Sequence, residues 1–144
     1  MARIEIQLPE KFIFKTEITV RVSDLNYGNH VGNDRVLTLM QEARTLFYRS
    51  LGFENEVKLE GSIGQIVSDV SIVYTAESFL GDILKFEIAM ENFNKYGFDF
   101  FYRVSNKVTG KEVAHGKTGI VCFDYSRRKV ASIPERLMEK LKSL

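Results

Sequence analysis

Hydrophobic and polar positions alternate strictly along residues 12–22, FIFKTEITVRV. Phe14, Thr16, Ile18, Val20 and Val22 point one way; Lys15, Glu17, Thr19 and Arg21 point the other. A period of two with β-branched enrichment predicts a half-buried strand. From about Asn33 to Leu51 the period changes to i, i+4, i+7, i+11 and i+15 through Val36, Met40, Ala43, Phe47 and Leu51. Leu37, Leu39, Leu46 and Tyr48 widen that face, and Arg35, Thr38, Glu42, Thr45 and Arg49 form a narrow polar stripe. This predicts a helix of about five turns with most of its circumference covered. Gly52 stands where a left-handed C-terminal cap belongs.

The remainder reads as strands. Ile66, Val70, Ile72 and Tyr74 share a face with Ser68 in 64–75; Leu84, Phe86, Ile88 and Met90 alternate with Lys85, Glu87, Ala89 and Glu91 in 82–91; Phe98, Phe100, Tyr102 and Val104 alternate with Asp99, Phe101, Arg103 and Ser105 in 97–106. NKVTGK is a hairpin loop, and in 111–124 the small residues Ala114, Gly116, Thr118, Ile120 and Cys122 form a face that lets the helix approach. Pro134 opens a short terminal helix. A strand, a long helix and a run of hairpin-connected strands predict an α+β architecture: an antiparallel sheet of five to six strands wrapped around one central helix. The outer edge strand would stay unpaired, and a two-fold dimer would cover it.

The chain has 144 residues and two prolines, Pro9 and Pro134, both near its ends, with no linker between them. One domain spanning 1–144 is expected. Twenty Lys plus Arg against 19 Asp plus Glu leave a net charge of +1, which offers no field to gather nucleic acid or an anionic membrane. The single cysteine, Cys122, excludes an internal disulfide and a cysteine-cluster metal site. No apolar run is long enough to span a membrane, and the opening MARIEIQLPEKF carries charges where a secretion leader has an apolar stretch. The expected location is the cytosol.

Candidate chemistry concentrates in the turn before the helix: Arg21, Ser23, Asp24, Leu25, Asn26, Tyr27, Gly28, Asn29, His30, Val31, Gly32 and Asn33. A helix N-terminus presents unpaired N–H groups and the positive end of its dipole, a setting for a developing oxyanion. Asn26, Asn29 and His30 are candidates to position a water or a carbonyl, with Asp24 to orient one of them. Asp24 and Asn26 equally suit Asx turns or helix capping, and His30 equally suits a structural hydrogen bond.

Here the sequence resembles the hotdog-fold acyl thioesterases, nearest to the 4-hydroxybenzoyl-CoA thioesterase-like branch and the related acyl-ACP thioesterases. Their segment runs from Arg through two Asp residues and a Gly- or Asn-containing turn to His-Val-Asn-Asn, then a helix closing in Glu-any-Arg. The corresponding residues are Arg21, Asp24, Asn26, His30, Val31, Gly32 and Asn33, then Glu42, Ala43 and Arg44. Tyr74 followed by Gly81-Asp82, Thr109-Gly110 and the Ala114–Asp124 strand extend the likeness. The resemblance implies hydrolysis of an acyl-CoA or acyl-ACP thioester, no metal or prosthetic group, coenzyme A only as part of the substrate, and a dimer or tetramer. It also implies that the backbone N–H near Asn33 receives the thioester oxygen. The sequence departs from the branch at two positions. Asn26 stands where that branch carries its catalytic carboxylate, and Gly32 replaces the first Asn of His-Val-Asn-Asn.

Three arrangements follow. Asn26 and His30 hold a water with His30 as base, a role that suits an imidazole titrating near about 6.5; or Asp24 is the carboxylate in a rearranged turn; or a carboxylate comes from the helix or a neighbouring subunit. Another hotdog branch keeps its carboxylate about two turns along the helix, near Gln41 and Glu42. A module that binds an acyl thioester without cleaving it, as sensor or carrier, is the alternative function. Arg127, Arg128 and Lys129 are candidates for the phosphates of coenzyme A, or plain solvated surface. Phe98 and Phe100 suit core or an acyl pocket, Arg44 a buried or interface pairing, and His115 and Cys122 structural positions. No Walker loop, dinucleotide fingerprint, zincin motif or nucleophile elbow is present.

Overall fold

The computed structural model describes residues 3–144. Met1 and Ala2, which begin the charged N-terminal segment, lie outside the described residues. The elements run β1 (Phe14–Thr19), α1 (Asn33–Ser50), β2 (Ile63–Tyr74), β3 (Ile83–Glu91), β4 (Gly97–Asn106), β5 (Glu112–Asp124), β6 (Lys129–Val130) and α2 (Glu135–Leu141). The six strands make one antiparallel sheet in the order β1-β3-β4-β5-β2, with β6 on β5. This is the expected hotdog arrangement of one long helix against a curled sheet. No helix of the described residues is long and apolar enough to cross a membrane.

One cross-strand row shows how the sheet grips the helix. Phe14, Ile88, Tyr102, Gly116 and Ile72 lie opposite one another in register across five strands. The Phe14 ring packs 5.4 Å from Phe47 of α1. Tyr102 accepts a hydrogen bond from Arg44. A Cβ on Gly116 would lie 2.8 Å from Ser71 O and 3.2 Å from Met40 Cε. The small-residue face of β5 therefore sits under the helix, as its side-chain sizes predict. Phe98 and Phe100 are wholly core, Phe100 edge-on to both Phe47 and Tyr48.

α1 ends on a Schellman motif. Gly52, at φ 92°, gives its N–H to Arg49 O, and Phe53 gives its N–H to Tyr48 O. The Phe53 and Tyr48 rings meet edge-on at 6.0 Å, the apolar contact that accompanies such caps.

Two expectations change. β1 stops at Thr19, and Val22, read as inward, is 71% exposed in a 3-10 turn, Val22–Asp24. The Asp24 carboxylate accepts the Arg21 N–H at 2.9 Å and curls the chain before alternation can continue. In β2 the pairing with β5 shifts register between Val67 and Asp69, which leaves Ser68 as a bulge. Gln65 and Val67 before it, and Val70, Ile72 and Tyr74 after it, oppose the helix-facing residues of β5. Ile66 points away, because one extra residue inverts the alternation.

Candidate active site

The turn between β1 and α1 is set by main-chain bonds. Asn26 N–H donates to His30 O at 2.8 Å, Asn29 N–H to Asn26 O at 3.1 Å and Gly32 N–H to Asp24 O at 3.1 Å. Asn29 adopts φ 63°, a conformation that Asn tolerates better than most residues. Val31 N–H reaches Ser78 O in the β2–β3 connection at 2.9 Å, which ties the turn to that loop.

The N-cap of α1 is Gly32, which has no side chain to close the helix end. Arg35 and Val36 N–H groups fold back on Gly32 O, and Asn33 Oδ1 accepts the Asp34 N–H at 2.8 Å. Among the described residues none accepts the Asn33 N–H. Tyr74 on β2 donates its hydroxyl to Asn33 O at 2.8 Å and fixes this first helical residue to the sheet edge. Burial raises the Tyr74 phenol above its ordinary value, and the Asp34 carboxylate pushes it the same way, so it remains a donor.

A cavity of about 870 Å³ opens at this helix end. Its floor is apolar: Val36 and Leu39 from α1, Leu84 and Phe86 from β3, Val104 from β4 and Val113 from β5. Its rim is polar, with Asn26, His30, Asn33, Asp34, Tyr74 and Glu77. The volume suits a small-molecule ligand, for which about 300–1,000 Å³ is usual.

Asn26 and His30 converge at the rim. A Cβ on Gly28 would stand 3.2 Å from both Asn26 Oδ1 and His30 Nε2. Asn26 Oδ1 accepts the Gly28 N–H at 2.8 Å, which leaves the amide NH₂ as the group Asn26 can offer a ligand. His30 Nδ1 lies 3.2 Å from Val31 O. A proton on Nδ1 bonded to that carbonyl leaves Nε2 as the basic nitrogen.

Other sequence candidates lie elsewhere. Asp24 is 1% exposed, off the cavity, its carboxylate occupied by the Arg21 backbone and guanidinium. It shapes the turn. Gln41 and Glu42 are exposed and do not line the cavity. Arg127 and Arg128 follow β5 at the end opposite Val113, on the order of 30 Å along the strand from the cavity. The Arg128 guanidinium stacks 5.4 Å over the Phe123 ring. Neither arginine meets the cavity of its own chain. His115 pairs with Glu112 at 3.1 Å, also off the cavity. Cys122 is buried, and burial pushes its thiol up to about 11, which leaves it unreactive packing. Among the described residues no group of three or more His, Cys, Asp or Glu is placed to hold a metal ion.

Three rim residues escaped the sequence reading. Tyr74 was read only as strand, and Asp34 and Glu77 were not singled out. The available signal was the Tyr74…Gly81-Asp82 connection, which brackets Glu77.

A long helix clasped by an antiparallel sheet, with an apolar-floored cavity at its amino end, is a hotdog arrangement with room for a ligand. The chain belongs to the thioesterase-like superfamily, whose family model matches residues 20–141. It is 26% identical over 134 residues to the long-chain acyl-CoA thioesterase FadM of Escherichia coli, covering 90% of this chain and 98% of that protein. Among solved structures it resembles a 1,4-dihydroxy-2-naphthoyl-CoA thioesterase from Synechocystis, with TM-score 0.82, 21% identity and coverage of 91% and 96% of the two chains. It also resembles a Staphylococcus aureus protein solved in complex with CoA, with TM-score 0.81, 13% identity and coverage of 96% and 87%.

Proposed function

We propose that this chain hydrolyses acyl-CoA thioesters at the mouth of the α1 cavity. The observation that carries this reading is the open Asn33 N–H at the rim of a cavity with an apolar floor. The acyl tail lies against Leu39, Leu84 and Phe86, and the thioester oxygen faces the Asn33 N–H. A water attacks the carbonyl carbon and gives its proton to His30 Nε2. Negative charge builds on the carbonyl oxygen, where the N–H and the helix dipole stabilise it. The intermediate collapses, the C–S bond breaks, and the imidazolium returns its proton to the departing thiolate. The products are a free acid and coenzyme A. The Asn26 amide is a donor at the rim; it cannot accept the water's proton. The reaction so written uses water, the thioester and the chain's own groups.

The test is thiol release from a panel of aliphatic and aromatic acyl-CoAs, with acyl-ACP alongside. Turnover of at least one acyl-CoA is expected. Tight binding with the thioester intact after long incubation would favour the second reading, a binding module, which Asn26 motivates.

The same proposal includes a two-fold dimer through β2. This edge strand exposes Ile66, Val67, Val70 and Tyr74, and a shallow groove joins Val70, Ile72 and Tyr74 to Leu37 of α1. An unpaired apolar edge invites a second strand. Two copies of β2 related by a two-fold axis run antiparallel, so the Ile63 end of one lies beside the Tyr74 end of the other. Arg127 and Arg128 stand at the Ile63 end, because Ile63 pairs with Asp124. A dimer would thus bring them towards the second copy's cavity, where the phosphates of coenzyme A would lie. Val70→Lys is expected to convert a dimer to monomer in light scattering. A monomeric wild type, or a variant that stays dimeric, would exclude this interface.

A further inference from the structure

We propose that Glu77 is a catalytic residue, the carboxylate that shares the attacking water with His30. The inference rests on the thioester-hydrolase reading of the cavity. Asn26 occupies the position where a carboxylate is expected, and an amide takes no proton at neutral pH. Glu77, in the β2–β3 connection, lines the same rim and sets its Oε1 3.9 Å from His30 Nε2.

That distance is too long for a direct hydrogen bond and short enough for one bridging water. A water about 2.8 Å from each acceptor would have them at an angle of about 90°, close to the angle between its own O–H bonds. One hydrogen points to Nε2 and the other to the carboxylate, which aims the oxygen's lone pairs away from both acceptors. When the oxygen attacks the carbonyl carbon, the first hydrogen passes to Nε2 as a proton. The second stays on the new carboxylic acid product. The imidazolium so formed faces the Glu77 anion until it returns its proton to the thiolate.

The placement is anchored on both sides of Glu77. The Thr75 and Ala76 N–H groups both bond to Val113 O, at 2.9 and 3.2 Å. The Ser78 carbonyl takes the Val31 N–H at 2.9 Å, so the residue after Glu77 is bonded to the residue after His30. The Glu77 side chain is 64% exposed and that of His30 34%. Both stand where a thioester would cross from solvent into the cavity. Asp34 is the other carboxylate on the rim, but it lies in the first turn of α1 beside the Asn33 N–H. Its charge there would oppose the oxyanion.

The test compares Glu77→Gln, Asp34→Asn, His30→Ala and the His30→Ala/Glu77→Gln double variant on the best acyl-CoA of the panel. Glu77→Gln is expected to lower kcat by about 10- to 100-fold, the range for one charge-assisted hydrogen bond, with KM within about twofold. Its thermal midpoint should match the wild type, because the side chain is exposed. The double variant should fall little below His30→Ala alone, since both groups serve one water. A Glu77→Gln rate within twofold of wild type overturns the proposal, as does a loss confined to Asp34→Asn. A loss that appears as raised KM with kcat intact also overturns it. No turnover by the wild type would overturn the hydrolase reading, and this role with it.

Discussion

Replacement of His30 by alanine is expected to lower kcat by about 10²–10⁴, the usual contribution of a positioned general base. The substitution is clean because the turn does not depend on the imidazole. Asn26 N–H bonds to the His30 main-chain oxygen, and Val31 N–H bonds to Ser78 O, and both survive the change. The ring itself meets Val31 O at 3.2 Å and Glu77 at 3.9 Å. The acyl tail's contacts lie on the cavity floor, so KM should move little. Steady-state kinetics on an accepted acyl-CoA, with circular dichroism to confirm the fold, decides the point. A loss under about tenfold would leave His30 as a structural member of the turn and put the base elsewhere.

Glu56→Ala is expected to destabilise the fold by about 3 kcal/mol, the lower end for removal of one partner from a buried ion pair. Arg44 sits in the middle of α1 at 2% exposure. Its Nε donates to Glu56 Oε1 at 2.7 Å and its Nη1 to the Tyr102 hydroxyl at 3.1 Å; that hydroxyl lies 2.6 Å from Thr118 Oγ1. Burial lowers the Arg44 pKa, but Tyr102 and Glu56 outweigh it and hold the guanidinium above its ordinary value. Burial likewise pushes the Tyr102 phenol up to about 12, so it remains a neutral partner. Without Glu56 the cation loses the carboxylate 2.7 Å from its Nε and cannot neutralise. Glu56 itself is 17% exposed, which admits some water and favours the low end of the range. Urea unfolding measures the effect; a change under about 1 kcal/mol would mean that solvent reaches the guanidinium.

Much of this architecture was legible because it follows from periodicity. The apolar positions of α1, the Gly52 cap and the small-residue face of β5 each state a local requirement that packing then meets. Arg44 was also legible: a charge on the covered side of a helix needs a partner, although its identity could not be read. The Ser68 bulge was hidden, since an inserted residue leaves strict alternation intact on paper while it inverts the strand in space. The end of β1 was hidden for a related reason: one Asp24 hydrogen bond overrode a good strand pattern. At the site, Asn26, His30 and Asn33 share one short segment, so sequence alone could group them. Glu77 is distant in the chain and is brought to them by the Val31–Ser78 and Tyr74–Asn33 bonds. Arg127 and Arg128 were grouped with the site by charge, and strand length separates them from it within one chain.

Main-chain bonds carry the span from Asn26 to Gly32 and tie it to its companion loop, while the Asp24 carboxylate and the Tyr74 hydroxyl brace its two ends. The His30 and Glu77 side chains are therefore fittings on a frame held by other residues' bonds. Such a frame lets a lineage exchange one reactive group for another at little risk to folding. Either side chain can then be exchanged while the pocket mouth keeps its shape.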